Sequence, residues 1–341
     1  MDSWATRARR AFGAVLVDGF FSGASRLGRL HPRARPERHG VRVLRDQRYH
    51  AGRRPEHLLD VYLPEGAEGP VPIVFYVHGG GFRILSKDTH WLMALAFARK
   101  GYAVFNVSYR LAPEHRYPAA IADVCHAYEW VLENAARLGG DPSRVVLAGE
   151  SAGANLVTSL AAAIAYERPE PWARRAFGTN AVPRAVVAAC GVFQVSDIDR
   201  FSRRKQGFSS FIADRLREVE RSYLGEAPHA VSLDLADPLV LFERGEAPAR
   251  PLPPFFLPVG TKDPLLDDTR RLARALNRLG ASAEERYYPG EMHAFHAFVM
   301  RKAARTCWSD TFDFLTRQGA GPDIPLPRSR TDGYSGTIRQ M

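Results

Sequence analysis

Apolar runs of strand length alternate with helix-patterned segments along most of this chain of 341 residues. The clearest run, VPIVFYV at 71–77, carries no charged residue and leads into three glycines, as expected of a strand buried on both faces. Comparable runs at 102–109, 144–149 and 254–260 each precede a segment of helical spacing. The alternation predicts an α/β fold with a mostly parallel sheet flanked by helices. Sites in such sheets lie at the carboxyl ends of the strands.

The segments outside this alternation set the predicted domain boundaries. Residues 41–195 and 246–318 form the expected core. Residues 196–245 interrupt the core with aromatic and charged residues, including Phe208, in a weak helical pattern that indicates an insertion. Residues 319–341 are polar and contain Pro and Gly, so we expect a disordered tail.

Residues 1–40 begin with a basic stretch and a short apolar stretch, RRAFGAVLVDGFF. Asp18 interrupts the apolar stretch and no small-residue cleavage site follows, which argues against a signal peptide. The apolar positions recur with the spacing of one helix face: Phe12, Val15, Leu16, Gly19 and Phe20. We therefore expect a helix packed on the body and then a linker, with export as the alternative.

Composition excludes several classes of function. The net charge of +10 comes from arginines scattered along the chain without a nucleic-acid-binding pattern, so we expect no nucleic-acid partner. No apolar run approaches the roughly 18 residues of a membrane span, so we expect no stable membrane insertion. Three separated cysteines without a CxxC pattern predict buried thiols in a reducing, cytoplasmic compartment rather than disulfides or a zinc site: Cys125, Cys190 and Cys307.

The pentapeptide GESAG at 149–153 matches G-x-S-x-G in the setting of a nucleophile elbow. A strand-like VVLA precedes it and the helical run ANLVTSLAAAIA follows. Two glycines let strand and helix approach at a tight turn, which lifts Ser151 from the sheet and points the helix N-terminus at it. We predict Ser151 as a nucleophile; a simple turn is the alternative.

A second glycine-rich turn, HGGGF at 78–82, follows the first buried strand. Successive glycines expose backbone N–H groups of the kind that stabilise a tetrahedral oxyanion, so we predict Gly80, Gly81 and Ala152 as donors. A phosphate-binding loop fits less well, because neither G-x-G-x-x-G nor a following Gly-Lys-Ser/Thr is present. A plain glycine turn is the remaining alternative.

A candidate acid and base follow the last two predicted strands. Asp263 lies on the loop after one strand, and its alternative role is to cap the next helix. Asp268 lies inside that helix and is a poorer candidate for the acid. His293 follows the next strand and a Pro-Gly break, whereas we place His296 in the first turns of the final helix as a packing residue. We predict Asp263 as the acid and His293 as the base.

The two histidines could instead bind a metal ion. H-E-x-x-H is absent and Glu291 is the only nearby carboxylate, so we expect no metal.

The chain order Ser151, Asp263, His293 is the triad order of α/β-hydrolases. Further segments then identify a family resemblance. The sequence resembles the hormone-sensitive-lipase-like bacterial carboxylesterases through segments that span residues 57–298: LLDVYLP, HGGGF, YRLAPEHRYPAA, GESAG, TKDPLLDD and YPGEMHAF. The sequence departs from the family pattern at two positions. Ala294 occupies a position where the family has Gly, and Glu150 occupies one where the family often has Asp.

The resemblance implies an α/β-hydrolase core that cleaves small-molecule esters of short or medium acyl chains, with no cofactor or metal. It also implies a helical cap over the site, made from the N-terminal helix and the 196–245 insertion. An amidase or peptidase with the same triad, and a non-catalytic ligand-binding protein on the same fold, are the alternatives. The residues predict no particular oligomeric state.

Overall fold

The computed structural model of the chain describes Gly19, Gly23, Ser25 and residues 27–29, 31–204, 210–225 and 232–322. One eight-stranded sheet, ordered β1-β2-β4-β3-β5-β6-β7-β8, runs through these residues. Its strands are β1 (Val41–Arg48), β2 (Leu58–Pro64), β3 (Val71–Val77), β4 (Ala103–Val107), β5 (Gly140–Glu150), β6 (Ala185–Ala189), β7 (Phe255–Gly260) and β8 (Ala283–Tyr288). β1 and β2 pair antiparallel, β2 is antiparallel to β4, and all other neighbours are parallel, which confirms the mostly parallel sheet.

Helices cover both faces of the sheet. They are α1 (Trp91–Ala98), α2 (Ala119–Asn134), α3 (Ala152–Ala165), α4 (Pro171–Gly178), α5 (Arg200–Arg204), α6 (Ser210–Leu224), α7 (Pro238–Glu243), α8 (Leu266–Arg278) and α9 (Lys302–Arg317). Alternate residues of β3 divide between two cores, because successive strand side chains point to opposite faces. Phe75 packs in the core that includes α2, α3 and α8, whereas Tyr76 packs in the core that includes α1 and α9.

The end of the chain differs from the sequence prediction at one point. His296 does not belong to the final helix, because α9 begins at Lys302. It lies instead in a separate 3₁₀ turn, Phe295–Ala297. The left-handed backbone of Ala294 (φ +56°) starts this turn, and Arg301 returns to an extended conformation before α9 begins. The placement of His296 in the first turns of that helix was therefore wrong.

Within 196–245, α5, α6 and α7 take different positions. α7 packs against α3 and α8 of the core, whereas α6 lies beside the glycine turn that follows β3. Phe208 of the predicted insertion and residues 323–341 of the predicted tail lie outside the described residues, as do Phe12, Val15, Leu16 and Phe20 of the predicted N-terminal helix. In the part of the chain that is described, no helix is both long and apolar enough to cross a membrane.

Candidate active site

Ser151 occupies the tip of a sharp turn between β5 and α3. Its backbone angles, φ +53° and ψ −117°, are unusual for a residue with a side chain and are typical of a strained functional turn. The two glycines of GESAG are required by close approach. A Cβ on Gly153 would lie 2.1 Å from the carbonyl oxygen of Val77, and one on Gly149 would lie 2.6 Å from the carbonyl carbon of Gly153. β3, β5 and α3 therefore meet only because both positions lack a side chain.

A continuous hydrogen-bond chain joins the three residues predicted as a triad. Nε2 of His293 lies 3.1 Å from Oγ of Ser151, and Nδ1 lies 2.9 Å from Oδ2 of Asp263. Asp263 is fully buried, and its other oxygen accepts the backbone N–H of Leu265 at 2.8 Å. This second bond closes the turn that precedes α8. Asp263 does not cap the helix, because the N-cap position of α8 is Leu265 and no side chain caps it.

The backbone beside His293 accounts for the glycine preference of the family. Ala294 has a left-handed φ of +56°, a conformation that costs a residue with a Cβ roughly 1–2 kcal/mol and glycine almost nothing. The loop also passes the end of β7 closely, because a Cβ on Gly260 would lie 2.2 Å from the carbonyl oxygen of Glu291. Although Ala294 carries this backbone cost, the His293 side chain still contacts both Ser151 and Asp263.

The surroundings of His293 favour its protonated form. Burial lowers the pKa of the imidazole, but the charge and hydrogen bond of Asp263 and a contact with the Cys190 thiol outweigh burial and hold the pKa well above 6.5. Burial raises the pKa of the Cys190 thiol. Among the described residues, potential metal-ligand atoms of Cys190, Asp263 and His293 form one group within 4.8 Å of each other. His293 and Asp263 already hydrogen-bond one another. The expectation that the site uses no metal stays a prediction.

The glycine turn after β3 lies beside Ser151 with its backbone in left-handed conformations. φ is +106° at Gly80 and +59° at Gly81, and no hydrogen bond among the described residues uses either backbone N–H. Ala152 opens α3, so its N–H belongs to the unpaired first turn of a helix. Helix α6 packs on this turn, since Glu218 pairs with Arg83 at 2.6 Å.

A cavity of about 1120 Å³ opens in front of Ser151. Its walls are mainly apolar and come from the glycine turn, α1, α6 and the loop that carries His293. Ser25 and Gly28 of the N-terminal segment also reach this cavity. Apolar side chains on its walls include Ile84, Leu85, Ile212, Leu216, Val219 and Phe298.

Comparison with known proteins decides the family. Residues 74–297 match the model of an α/β-hydrolase-fold family, and the chain is 36% identical over 244 residues to carboxylesterase NlhH of Mycobacterium tuberculosis, covering 70% of this chain and 71% of the relative. The chain belongs to the hormone-sensitive-lipase-like carboxylesterases. The predicted α/β-hydrolase fold and the predicted carboxylesterase-type hydrolase are both confirmed.

Solved structures agree with this family. Esterase LipW from Mycobacterium marinum superposes with a TM-score of 0.71 at 27% identity, covering 91% of each chain. A hormone-sensitive lipase from a metagenome library shares the fold, with a TM-score of 0.67, 24% identity, and coverage of 87% of this chain and 91% of that one.

Sequence reasoning missed two side chains close to the centre of this esterase. Glu150 was noted only as a departure from the family pattern, and His296 only as a packing residue. Both are buried, and Oε2 of Glu150 lies 2.6 Å from Nε2 of His296. The sequence did contain a signal, because Glu150 directly precedes Ser151 and His296 follows His293 by three positions.

Proposed function

We propose that this esterase hydrolyses small carboxylic esters through Ser151, His293 and Asp263. The unbroken hydrogen-bond chain from Asp263 through His293 to Ser151 carries the proposal. Nε2 of His293 takes the proton of the Ser151 hydroxyl while its oxygen attacks the ester carbonyl carbon. Asp263 accepts the N–H at Nδ1, which holds the ring orientation and stabilises the imidazolium that forms.

The negative charge of the tetrahedral intermediate develops on the former carbonyl oxygen. The proposed donors to this oxygen are the backbone N–H groups of Gly80, Gly81 and Ala152. The left-handed turn at the two glycines and the N-terminal position of Ala152 on α3 support this assignment. Each donor of this kind contributes about 3–4 kcal/mol to transition-state stabilisation.

Collapse of the intermediate releases the alcohol, which takes the proton held by His293, and leaves the acyl group on Ser151. Water then enters, His293 accepts one of its protons, and its oxygen attacks the acyl carbon. The acid departs and the proton returns to Ser151. Every proton transfer uses Nε2 of His293, so no other acid or base is required.

The proposed substrates are esters of short or medium acyl chains. A cavity of about 1120 Å³ is slightly larger than typical small-molecule pockets, which span roughly 300–1,000 Å³, so the acyl chain and the alcohol can both be enclosed. We assign the cap over the cavity to the N-terminal segment and to 196–245. Support comes from Gly28 and from Leu216 and Val219 of α6, which line the cavity. An acyl-length series of p-nitrophenyl esters tests the size range.

A cytoplasmic location is also proposed for this esterase. All three cysteines are buried and unpaired, which suits a reducing compartment: Cys125, Cys190 and Cys307. Cell fractionation with an antibody against the chain tests the location. Recovery in a secreted or membrane fraction would contradict the proposal.

Substitution of the nucleophile tests the mechanism. Ser151→Ala should lower kcat for p-nitrophenyl butyrate by about a million-fold, as expected for loss of a triad nucleophile. Ser143→Ala is the matched control, because Ser143 is an exposed serine near the opposite end of β5. Full activity of Ser151→Ala would refute the assignment.

A fluorophosphonate probe separates the enzyme from the alternatives. Labelling at Ser151 supports a serine hydrolase, and absence of labelling in the folded native chain favours a ligand-binding protein. Turnover of the p-nitroanilide matched to the best ester, at a rate comparable to that ester, would favour an amidase.

A further inference from the structure

The residue before the nucleophile contacts the loop that carries the base. Glu150 ends β5, and its carboxylate is hydrogen-bonded on both oxygens to imidazoles. Oε1 lies 2.9 Å from Nε2 of His90, and Oε2 lies 2.6 Å from Nε2 of His296. All three residues are at most 7% exposed, so these contacts are largely shielded from water.

The contacts of this buried carboxylate favour its ionised form. Burial raises the pKa of Glu150, but the hydrogen bonds and charges of His296 and His90 outweigh burial and hold it well below its usual value. An ionised carboxylate only accepts hydrogen bonds, so both imidazoles donate their Nε2–H to it. A charged acceptor makes such bonds shorter and about twice as strong as neutral ones.

The two histidines connect Glu150 to different parts of the fold. His90 precedes α1, and its Nδ1 lies 2.9 Å from Oγ1 of Thr89. His296 sits three residues after His293 in the same loop, and the indole N–H of Trp308 on α9 donates to its backbone carbonyl at 3.1 Å. The Glu150–His296 contact therefore joins the strand end that carries Ser151 to the loop that carries His293.

We propose that Glu150 and His296 are positioning residues that fix the distance between the nucleophile and the base. The proposal rests on the function proposed for Ser151 and His293. Neither residue touches the reacting atoms; they act by holding the two loop segments whose side chains do. Because a misplacement of about 1 Å costs on the order of 100-fold in rate, a contact that sets this distance should affect kcat more than KM.

A donor-swap pair at position 296 tests the proposal. His296→Gln places an amide N–H close to the position of Nε2 and keeps the bond to Glu150, whereas His296→Met fills similar space without a donor. We expect His296→Met to lower kcat by about 10- to 100-fold with KM within about threefold of native. His296→Gln should recover most of that loss. Equal kcat in the two variants would overturn the proposal.

His90→Met is the matched control, because it removes an equivalent bond from the other oxygen of the same carboxylate. It leaves the loop of His293 untouched, so the fold-loss of kcat should be several times smaller in His90→Met than in His296→Met. Thermal unfolding of all variants separates stability from positioning. Equal losses of kcat in His90→Met and His296→Met would show that the network acts on general stability, and would refute the proposal.

A milder change covers the case in which His296→Met does not fold. Glu150→Gln leaves one amide oxygen to accept from two imidazoles, so it should lower kcat by about tenfold without raising KM. A kcat within twofold of native would refute the positioning role. Failure of the triad assignment is distinguishable, because it appears as activity retained in Ser151→Ala whatever the result at position 296.

Discussion

Gly80→Ala tests the proposed oxyanion donors of the glycine turn after β3. Among the three glycines of this turn, Gly80 is the position where a new Cβ would lie closest to a neighbour. The new Cβ would lie 2.2 Å from the carbonyl oxygen of Ile84, whereas real Cβ atoms stay at least 3.0 Å from such a neighbour. The turn must therefore open by about 0.8 Å, which is close to the displacement that costs on the order of 100-fold in rate. The φ of +106° adds backbone strain.

The expected loss follows from the role proposed for the Gly80 N–H. Removing one oxyanion donor lowers kcat by about 100- to 1,000-fold, or roughly 3–4 kcal/mol. Ground-state binding of the ester does not depend on this donor, so KM should change little. Steady-state hydrolysis of p-nitrophenyl butyrate measures both constants, and complete reaction with a fluorophosphonate counts the folded sites.

Gly66→Ala is the matched control for backbone strain. Gly66 lies in the turn between β2 and β3 with φ +76°, and a Cβ there would meet nothing within 4 Å. It carries a similar left-handed cost, roughly 1–2 kcal/mol of stability, away from the site. The reasoning is refuted when Gly80→Ala keeps a kcat within threefold of Gly66→Ala, because the turn would then relax without losing a donor.

Further predictions concern the acid, the pH profile and a buried ion pair. Asp263→Asn should lower kcat by about 10,000-fold, because the amide favours the wrong imidazole tautomer; a loss below tenfold would argue against Asp263 as the acid. The pKa of His293 is raised well above 6.5 and the base must be neutral, so native kcat/KM should rise with pH through a midpoint above 6.5; a midpoint below 6 would contradict this. Asp268→Ala breaks a buried pair with Arg200 (2.5 Å) and should cost about 3–5 kcal/mol in urea unfolding. Asp267→Ala removes the more exposed neighbouring pair with Arg270 and should cost at most about 1 kcal/mol. Equal costs for Asp268→Ala and Asp267→Ala would contradict the prediction.

The strands and the main helices of the core were predictable because their signals are local. Buried parallel strands such as β3 are continuous apolar runs. The glycines of GESAG indicate a turn too tight for side chains, and the close approach of Gly153 to Val77 confirms this. α4 was not predicted. It spans only eight residues from Pro171, about two turns, so its alternation of buried and exposed positions is too short to separate from a loop in the sequence.

The polar networks around the site were not predictable, because they join residues distant in sequence. Asp268 looked like an ordinary helix residue, yet it is fully buried and accepts the backbone N–H of Phe193 at 3.0 Å, 75 positions away. Glu150 and His296 are 146 positions apart. Neither hydrophobic periodicity nor motif spacing encodes such partners, since they depend on which strand ends meet at the edge of the sheet.

The conformation of Ala294 explains why two histidines three positions apart serve different carboxylates. In a helix, residues at i and i+3 lie on the same face, so both rings would point toward one partner. The left-handed Ala294 breaks that geometry. His293 turns to Asp263 beyond β7, while His296 turns to Glu150 at the end of β5. One short loop is thereby held at two strand ends, and the distance between base and nucleophile depends on both attachments.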